Sequence, residues 1–378
     1  MMKKQIFLAC ALASCSLLLI LADEYSPNEH SASVQYVYSV ADIDGESLLV
    51  MHQRSLYNVE LLKWNTRTRI AQKALWSIYQ PSSVTLLPEG DGFSFLDQGR
   101  IRVKDFNKRS PRTINIFEPI TNFDSIQWID NEHFYFTAQD PYFHNVFACQ
   151  LNKNSASVSR LTFEEESDFL YPQKVGNDLF AIKRGCDKKF SIVRLDWKEY
   201  SFDNYKETAG EIIVASSKCC CFLKMINSQQ GYFISYDQGK EPLKNTHTFW
   251  CNAIIQEADG WKQQQLFSFD IHENYILGRE AERMYESIKP LLPCYEKHGI
   301  FFSHFDNETA IPHLKRYNIQ TGEISAVHVE HKKKLSPFTP FISQGYAYCG
   351  MAIRATRSFL ETHCIDGDFQ FDILKIEI

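Results

Sequence analysis

The chain has 378 residues, of which 44% are hydrophobic, 23% charged and 14% aromatic, and 40 basic against 46 acidic side chains give a formal net charge of −6. These are the proportions of an ordinary folded protein, so a disordered chain, a collagen and a coiled coil are excluded. The mildly acidic balance offers no footprint for nucleic acid, and the length admits one large all-β domain or two modest ones.

The first predicted element is a leader, residues 1–22. Lys3 and Lys4 precede an uncharged, largely apolar stretch of 18 residues from Gln5 to Ala22, and charge returns at Asp23 and Glu24. Three readings stay open. A peptidase cuts after Ala22, a small residue suited to that position, although Ile20 is larger than the usual preference. Alternatively, Leu12-Ala13-Ser14-Cys15 resembles the lipobox of bacterial lipoproteins, which implies acylation of Cys15; the apolar run Ser16 to Ala22 departs from the polar tether such proteins carry. In the third reading nothing is cut and the segment spans the bilayer, at the short end of the usual range. All three export the remainder, because the two lysines hold the N-terminus inside. The expected location is therefore periplasmic, membrane-anchored or secreted, and the exported part carries 38 − 46 = −8.

From residue 30 onward the chain reads as short strands in a repeating unit. A turn residue opens an apolar, aromatic-rich strand at Gly45, Gly92, Asn131, Gly176, Gly231, Gly299 and Gly345, with separations of 47, 39, 45, 55, 68 and 46 residues. Glycine suits tight turns because it adopts positive φ without steric cost. Each such strand follows another apolar run, such as Val84 to Leu87 or Ile126 to Ile129. A third comes after it, such as Val59 to Trp64, Val146 to Leu151 or His313 to Ile319, and often a fourth, such as Thr113 to Phe117 or Glu323 to Val327. Four strands per unit of about 40 to 50 residues is the signature of a β-propeller blade, apolar on both faces and stable only in a closed ring. The 356 residues of 23–378 predict one propeller domain of seven blades, with six or eight as the range. The ring closes either with four strands from the C-terminal end alone or with the segment before Tyr36 latching onto the last unit.

The units resemble those of TolB-like and WD40-like propellers, in which a Trp or Pro before a D-G or N-x turn leads into a Phe-rich strand. Gln127-Trp128-Ile129-Asp130-Asn131 and Leu87-Pro88-Glu89-Gly90-Asp91-Gly92 carry the resemblance. It covers most of the exported chain. The intact S-P-D-G box of the TolB group is missing and no α/β domain precedes the ring, so a role in the Tol system does not carry over.

One element breaks the pattern: Leu277, Ala281, Met284, Tyr285 and Ile288 fall at helical spacing ahead of Pro290, which predicts an amphipathic helix over 277–289 inserted between blades. Propeller ligands sit where the second-to-third strand loops gather at one end of the channel, and Tyr57, Tyr142, His144, Asp237 and Asp306 are the candidate residues of that face. Aromatic and carboxylate residues mixed there suit a protein or glycan ligand of the cell envelope. Arg100, Arg102 and Lys104 alternate with Ile101 and Val103, as on the outward face of one strand. The acidic runs at Asp42–Glu46 and Glu164–Asp168 lack the ligand spacing of a calcium loop and read as solvated turns.

Nine cysteines follow the leader, and nine cannot all pair within one chain. Neighbouring cysteines also lie closer than a disulfide spans, so Cys219, Cys220 and Cys221 each need a separate partner and some thiols are free. No zinc spacing, no cofactor motif and no hydrolase motif occurs. The favoured reading is a non-enzymatic binding propeller; the alternative is a propeller enzyme, lactonase-like or glycosidase-like, with its site at the channel mouth.

Overall fold

The computed structural model describes residues 32–44, 47–53, 58–65, 67–68, 71–79, 81–97, 99–116, 120–152, 156–164, 166–195, 210–237, 246–272, 292–296, 299–305, 312–327, 336–337, 341–343, 346–349, 351–356 and 374–377. Every regular element among them is a strand. Blade 1 comprises β1 (Ala32–Asp44), β2 (Ser47–Gln53), β3 (Asn58–Asn65) and β4 (Ala71–Tyr79); blade 2, β5 (Ser82–Leu86), β6 (Gly92–Asp97), β7 (Arg100–Asp105) and β8 (Arg112–Thr113). Blade 3 is β9 (Thr121–Trp128), β10 (His133–Asp140), β11 (Phe143–Leu151) and β12 (Ala156–Arg160); blade 4 is β13 (Ser167–Val175), β14 (Asp178–Gly185), β15 (Phe190–Leu195) and β16 (Gly210–Ser216). Blade 5 holds β17 (Cys219–Asn227), β18 (Gln230–Tyr236), β19 (Thr246–Glu257) and β20 (Gly260–His272), and blade 6 holds β21 (Cys294–Glu296), β22 (Gly299–Phe305), β23 (Pro312–Asn318) and β24 (Ile324–Ala326). Each blade is an antiparallel meander.

The chain thus builds six blades and not the seven predicted. The remaining strands, β25 (Ser336–Pro337), β26 (Phe341–Ser343), β27 (Tyr346–Cys349), β28 (Met351–Thr356) and β29 (Leu374–Glu377), divide between two sheets. The cause is β1, whose N-terminal half pairs with β28, from Ala32↔Thr356 to Tyr38↔Met351, while its C-terminal half pairs with β2. Strands of the last unit are drawn onto blade 1, making a six-stranded sheet, and only β26, β27 and β29 stay together. Strand β26 touches both β1 and β21, so this three-stranded sheet fills the place between blade 6 and blade 1. The first described strand thus shares a sheet with β25 and β28 of the last unit, while the last described strand, β29, lies in the three-stranded sheet. The predicted helix over 277–289 lies outside the described residues, and no described helix is long and apolar enough to cross a membrane.

Burial follows from the period of two. Along β10, Phe134, Phe136 and Ala138 point to blade 2 and pack with Leu96, Ile101 and Val103. Tyr135, between them, points to blade 4 and packs with Phe169 and Leu179. Every core is thus a seam between neighbouring blades, and a fully buried Phe such as Phe136 contributes roughly 2–3 kcal/mol by area alone. Side chains also cross the seams: Gln127 Oε1 accepts the Lys174 amide at 3.2 Å, Gln173 Oε1 accepts the Met225 amide at 2.9 Å, and the Trp128 indole donates to Ser94 Oγ at 2.7 Å. The first two repeat one device, in which a glutamine on a blade's innermost strand holds the backbone of the next blade.

Two local expectations are corrected. Gly92 and Gly231 open second strands without a positive φ; a Cβ on Gly92 would lie 2.5 Å from the Lys104 carbonyl oxygen, and one on Gly231 2.8 Å from that of Lys224. Close approach of the neighbouring strand, not turn geometry, requires glycine there. Lys104 does not share an exposed face with Arg100. It is 3% exposed, and its ammonium is turned onto the carbonyl oxygens of Asp105 and Lys108. Burial lowers its pKa, opposed by the Asp105 charge. Arg102 pairs with Asp97 at 2.9 Å.

Candidate functional site

The second-to-third strand turns and the fourth-to-first connections lie at one end of the ring. In blade 3 the β10–β11 ladder runs unbroken to Asp140↔Phe143, leaving Pro141 and Tyr142 as the whole turn. Tyr142 is 78% exposed. Its backbone is fixed from below: the Gln139 carboxamide donates to the Tyr142 carbonyl oxygen at 3.2 Å, and the Asn145 carboxamide to that of Phe143 at 3.1 Å. Asp140 pairs with Arg160 at 3.0 Å, whose Nε donates to the Thr162 carbonyl oxygen at 2.6 Å and whose guanidinium lies against Phe163.

His144 follows two residues on, and its imidazole is turned inward. It meets Asp168, on the innermost strand of blade 4. Asp168 Oδ1 accepts from the His144 amide at 2.7 Å and lies 3.2 Å from His144 Nδ1, while Oδ2 accepts from Arg184 Nε at 3.0 Å and Nη2 at 2.6 Å. Burial alone would raise the Asp168 pKa. The hydrogen bonds from His144 and Arg184, with the guanidinium charge, outweigh it and bring the carboxyl down to about 2. Asp168 is 8% exposed, so the end of the Glu164–Asp168 run is a buried ion and not a solvated turn. Glu164, in the connection ahead of β13, pairs with Lys183 of blade 4.

In blade 5, Asp237 is exposed directly after β18 and lies 3.4 Å from the Lys218 ammonium, which covers the Trp250 ring. Asp237, Tyr142 and His144 are therefore on the predicted face, Tyr142 and Asp237 at its surface and His144 beneath it. Tyr57, Asp306 and Cys15 lie outside the described residues. Sequence reasoning missed the roles of Asp168, Arg184 and Arg160, which meet only through strand register; the acidic run that ends at Asp168, read there as a solvated turn, was the one available signal. Among the described residues no group of three His, Cys, Asp or Glu side chains is placed to hold a metal ion.

Cys186 lies in the β14–β15 turn at this same end, its Sγ 3.9 Å from Glu166 Oε2, and Cys219 directly follows Lys218 and pairs in register with Tyr236. Seven described cysteines are thiols outside any disulfide: Cys149, Cys219, Cys220, Cys221 and Cys251 are buried, Cys294 is half-buried and Cys186 is exposed. Burial pushes Cys220 up to about 12, against a hydrogen bond from Ser216, and drives Cys221 and Cys251 well above the ordinary thiol range. These buried groups pack as small hydrophobes and are poor nucleophiles and poor metal ligands.

No protein-family model matches the sequence, and no curated protein sequence matches it. Solved structures do. The tricorn protease aligns with a TM-score of 0.50 at 10% identity over 75% of this chain and 29% of its own. TolB from Acinetobacter baumannii aligns at 0.47 with 12% identity, over 79% of this chain and 64% of its own. The WD40 domain of SCAP from fission yeast gives 0.40 and 9%, over 88% and 97%. TolB and WD40-type propellers are thus among the structures similar to this chain, as the strand pattern implied, and at such identities the likeness concerns the fold alone.

Proposed function

We propose that this chain is an exported β-propeller of the cell envelope that acts by binding, holding a protein or glycan ligand on the loop face of blades 3 to 5 without transforming it. Export rests on the leader, Lys3 to Ala22. The observation that carries the binding reading is the state of the carboxylates. A propeller glycosidase or lyase needs an acid or base whose pKa is tuned toward the working pH. Asp168, the buried carboxylate among the described loop-face residues of blades 3 to 5, is displaced the other way, to about 2, and is saturated by four donors. Asp140 and Asp237 each face a cation. What the face offers a ligand is Tyr142 on a braced turn, and a rigid exposed aromatic is a typical anchor for recognition.

Photocrosslinking in the native cell tests this. A benzophenone amino acid at position 142 or 237 is expected to give a discrete adduct. At position 259, on the β19–β20 hairpin at the opposite end of the ring, none is expected. Equal labelling from 259, no adduct from either loop-face position, or a hydrolytic activity abolished by Asp168→Asn would each overturn the reading.

A further inference from the structure

The four large hydrophobic side chains that stand exposed among the described residues are Ile129, Tyr142, Ile212 and Ile324. Ile129 lies at the β9–β10 hairpin on the opposite end of the ring, and Ile212 and Ile324 are on the outermost strands of blades 4 and 6. Tyr142 is therefore the one large hydrophobic side chain that stands exposed among the described residues of the loop face. Thr121 and Asn122, at the start of β9, are exposed, and Thr121 pairs in register with Gln139. The Asn122 carboxamide donates to Gln139 Oε1, and Gln139 in turn donates to the Tyr142 carbonyl oxygen. Beside them the Asp140–Arg160 pair cancels its own charge. The Tyr142 turn, two carboxamides and Thr121 thus meet at one electrically neutral corner of the loop face, its backbone braced by the Gln139 hydrogen bond.

The chemistry of that surface distinguishes between ligands. A protein hot spot is ringed by further contacts that exclude water, and its centre is more apolar than the general surface. Phe143, next in the chain, and Phe163, under the Arg160 guanidinium, are only partly exposed, so no second exposed large apolar side chain among the described residues of the loop face stands with Tyr142. A pyranose ring fits better: one face presents C–H groups that lie against an aromatic ring, and its edge carries hydroxyls that exchange hydrogen bonds with carboxamides. Few placed polar groups around an apolar platform fix such a ligand's orientation. We infer that Tyr142, with Thr121, Asn122 and Gln139, forms a subsite for a neutral sugar ring of an envelope glycan. This deepens, and rests on, the binding reading above.

The test is saturation-transfer NMR and calorimetry on the leaderless chain with three neutral trisaccharides: chitotriose, cellotriose and maltotriose. At least one is expected to bind. Tyr142→Ala is expected to weaken it about tenfold or more, as for an aromatic anchor, Asn122→Ala several-fold, and Tyr142→Phe about twofold at most, since the ring and not the hydroxyl carries the contact. All three substitutions are at exposed positions, and unchanged circular dichroism confirms folding. Absence of binding by all three sugars, or binding indifferent to Tyr142→Ala, overturns the sugar subsite. The crosslinking arm separates the two failures. A protease-sensitive adduct from position 142 without sugar binding refutes the sugar and leaves the binding face standing, whereas no adduct from either loop-face position refutes the face itself.

Discussion

Asp168→Asn removes the one buried carboxylate that joins blade 3 to blade 4 on the loop face. In the native chain that group takes the His144 amide at 2.7 Å, His144 Nδ1 at 3.2 Å and two Arg184 nitrogens at 3.0 and 2.6 Å. Its pKa is lowered from 3.8 to about 2. At about 1.4 kcal/mol per unit this is about 2.5 kcal/mol of stability. Because the folded pKa is the depressed one, that contribution is complete above about pH 5 and is lost as the pH falls through about 2. Asparagine removes it and turns an amide N–H toward donors on one side or the other, adding roughly 1–2 kcal/mol. The expected cost at pH 7 is therefore about 3.5–4.5 kcal/mol, measured by urea denaturation. At pH 2.5 the gap between wild type and variant should shrink by about 1.5 kcal/mol, because the wild-type carboxylate is by then largely protonated on unfolding. A gap that is equal at both pH values, or one below about 0.5 kcal/mol at pH 7, refutes the reasoning.

Three further outcomes are expected. With Ellman's reagent at pH 8, Cys186 should react in the fast phase and Cys186→Ser should remove its share; Cys220, raised from 9.0 to about 12, has a thiolate fraction lower by about a thousandfold and should react only on unfolding. Fast labelling anywhere in Cys219–Cys221 contradicts the burial argument. Gly92→Ala should cost more than about 2 kcal/mol, since its Cβ meets the Lys104 carbonyl oxygen, whereas Gly99→Ala, at φ +71° with open space, should cost about 1 kcal/mol from backbone strain; equal costs would show that close approach is not what selects glycine at position 92. For the leader, Cys15→Ala should abolish fatty-acid labelling and membrane retention if the lipobox is used. A chain that stays membrane-bound and unlabelled either way carries an uncut anchor.

The blades were legible because a strand apolar on both faces advertises itself residue by residue. The run predicted from Gly299 is observed as Gly299–Phe305, and Val59 to Trp64 lies within Asn58–Asn65. Weak outer strands were less readable: Thr113 to Phe117 yields only Arg112–Thr113 as strand, although Ile114 still donates to the Ile101 carbonyl oxygen at 2.9 Å. Blade number was misjudged because dividing length by a period assumes each strand serves one sheet, and β1 serves two partners. The ion network was invisible for a different reason. Asp168 stands 24 residues from His144 and 16 from Arg184, distances that only register and blade packing close. Lys104 looked exposed because alternation assigns a face, and it cannot foresee a long side chain folding back onto carbonyls at the end of its own strand.

The pairing of Ala32 with Thr356 sets a clock on the birth of this molecule. The partner of the first described strand is made 356 − 32 = 324 residues after it. At ribosomal rates of about 5–20 residues per second the wait is about 16–65 s. Throughout that interval one edge of β1 has no strand to pair with, and the apolar flank of blade 1 that will meet the last-made strands has nothing to cover it. A chain that cannot complete the edge of its first blade until residue 356 emerges is one whose fold waits on nearly the whole span between its paired strands.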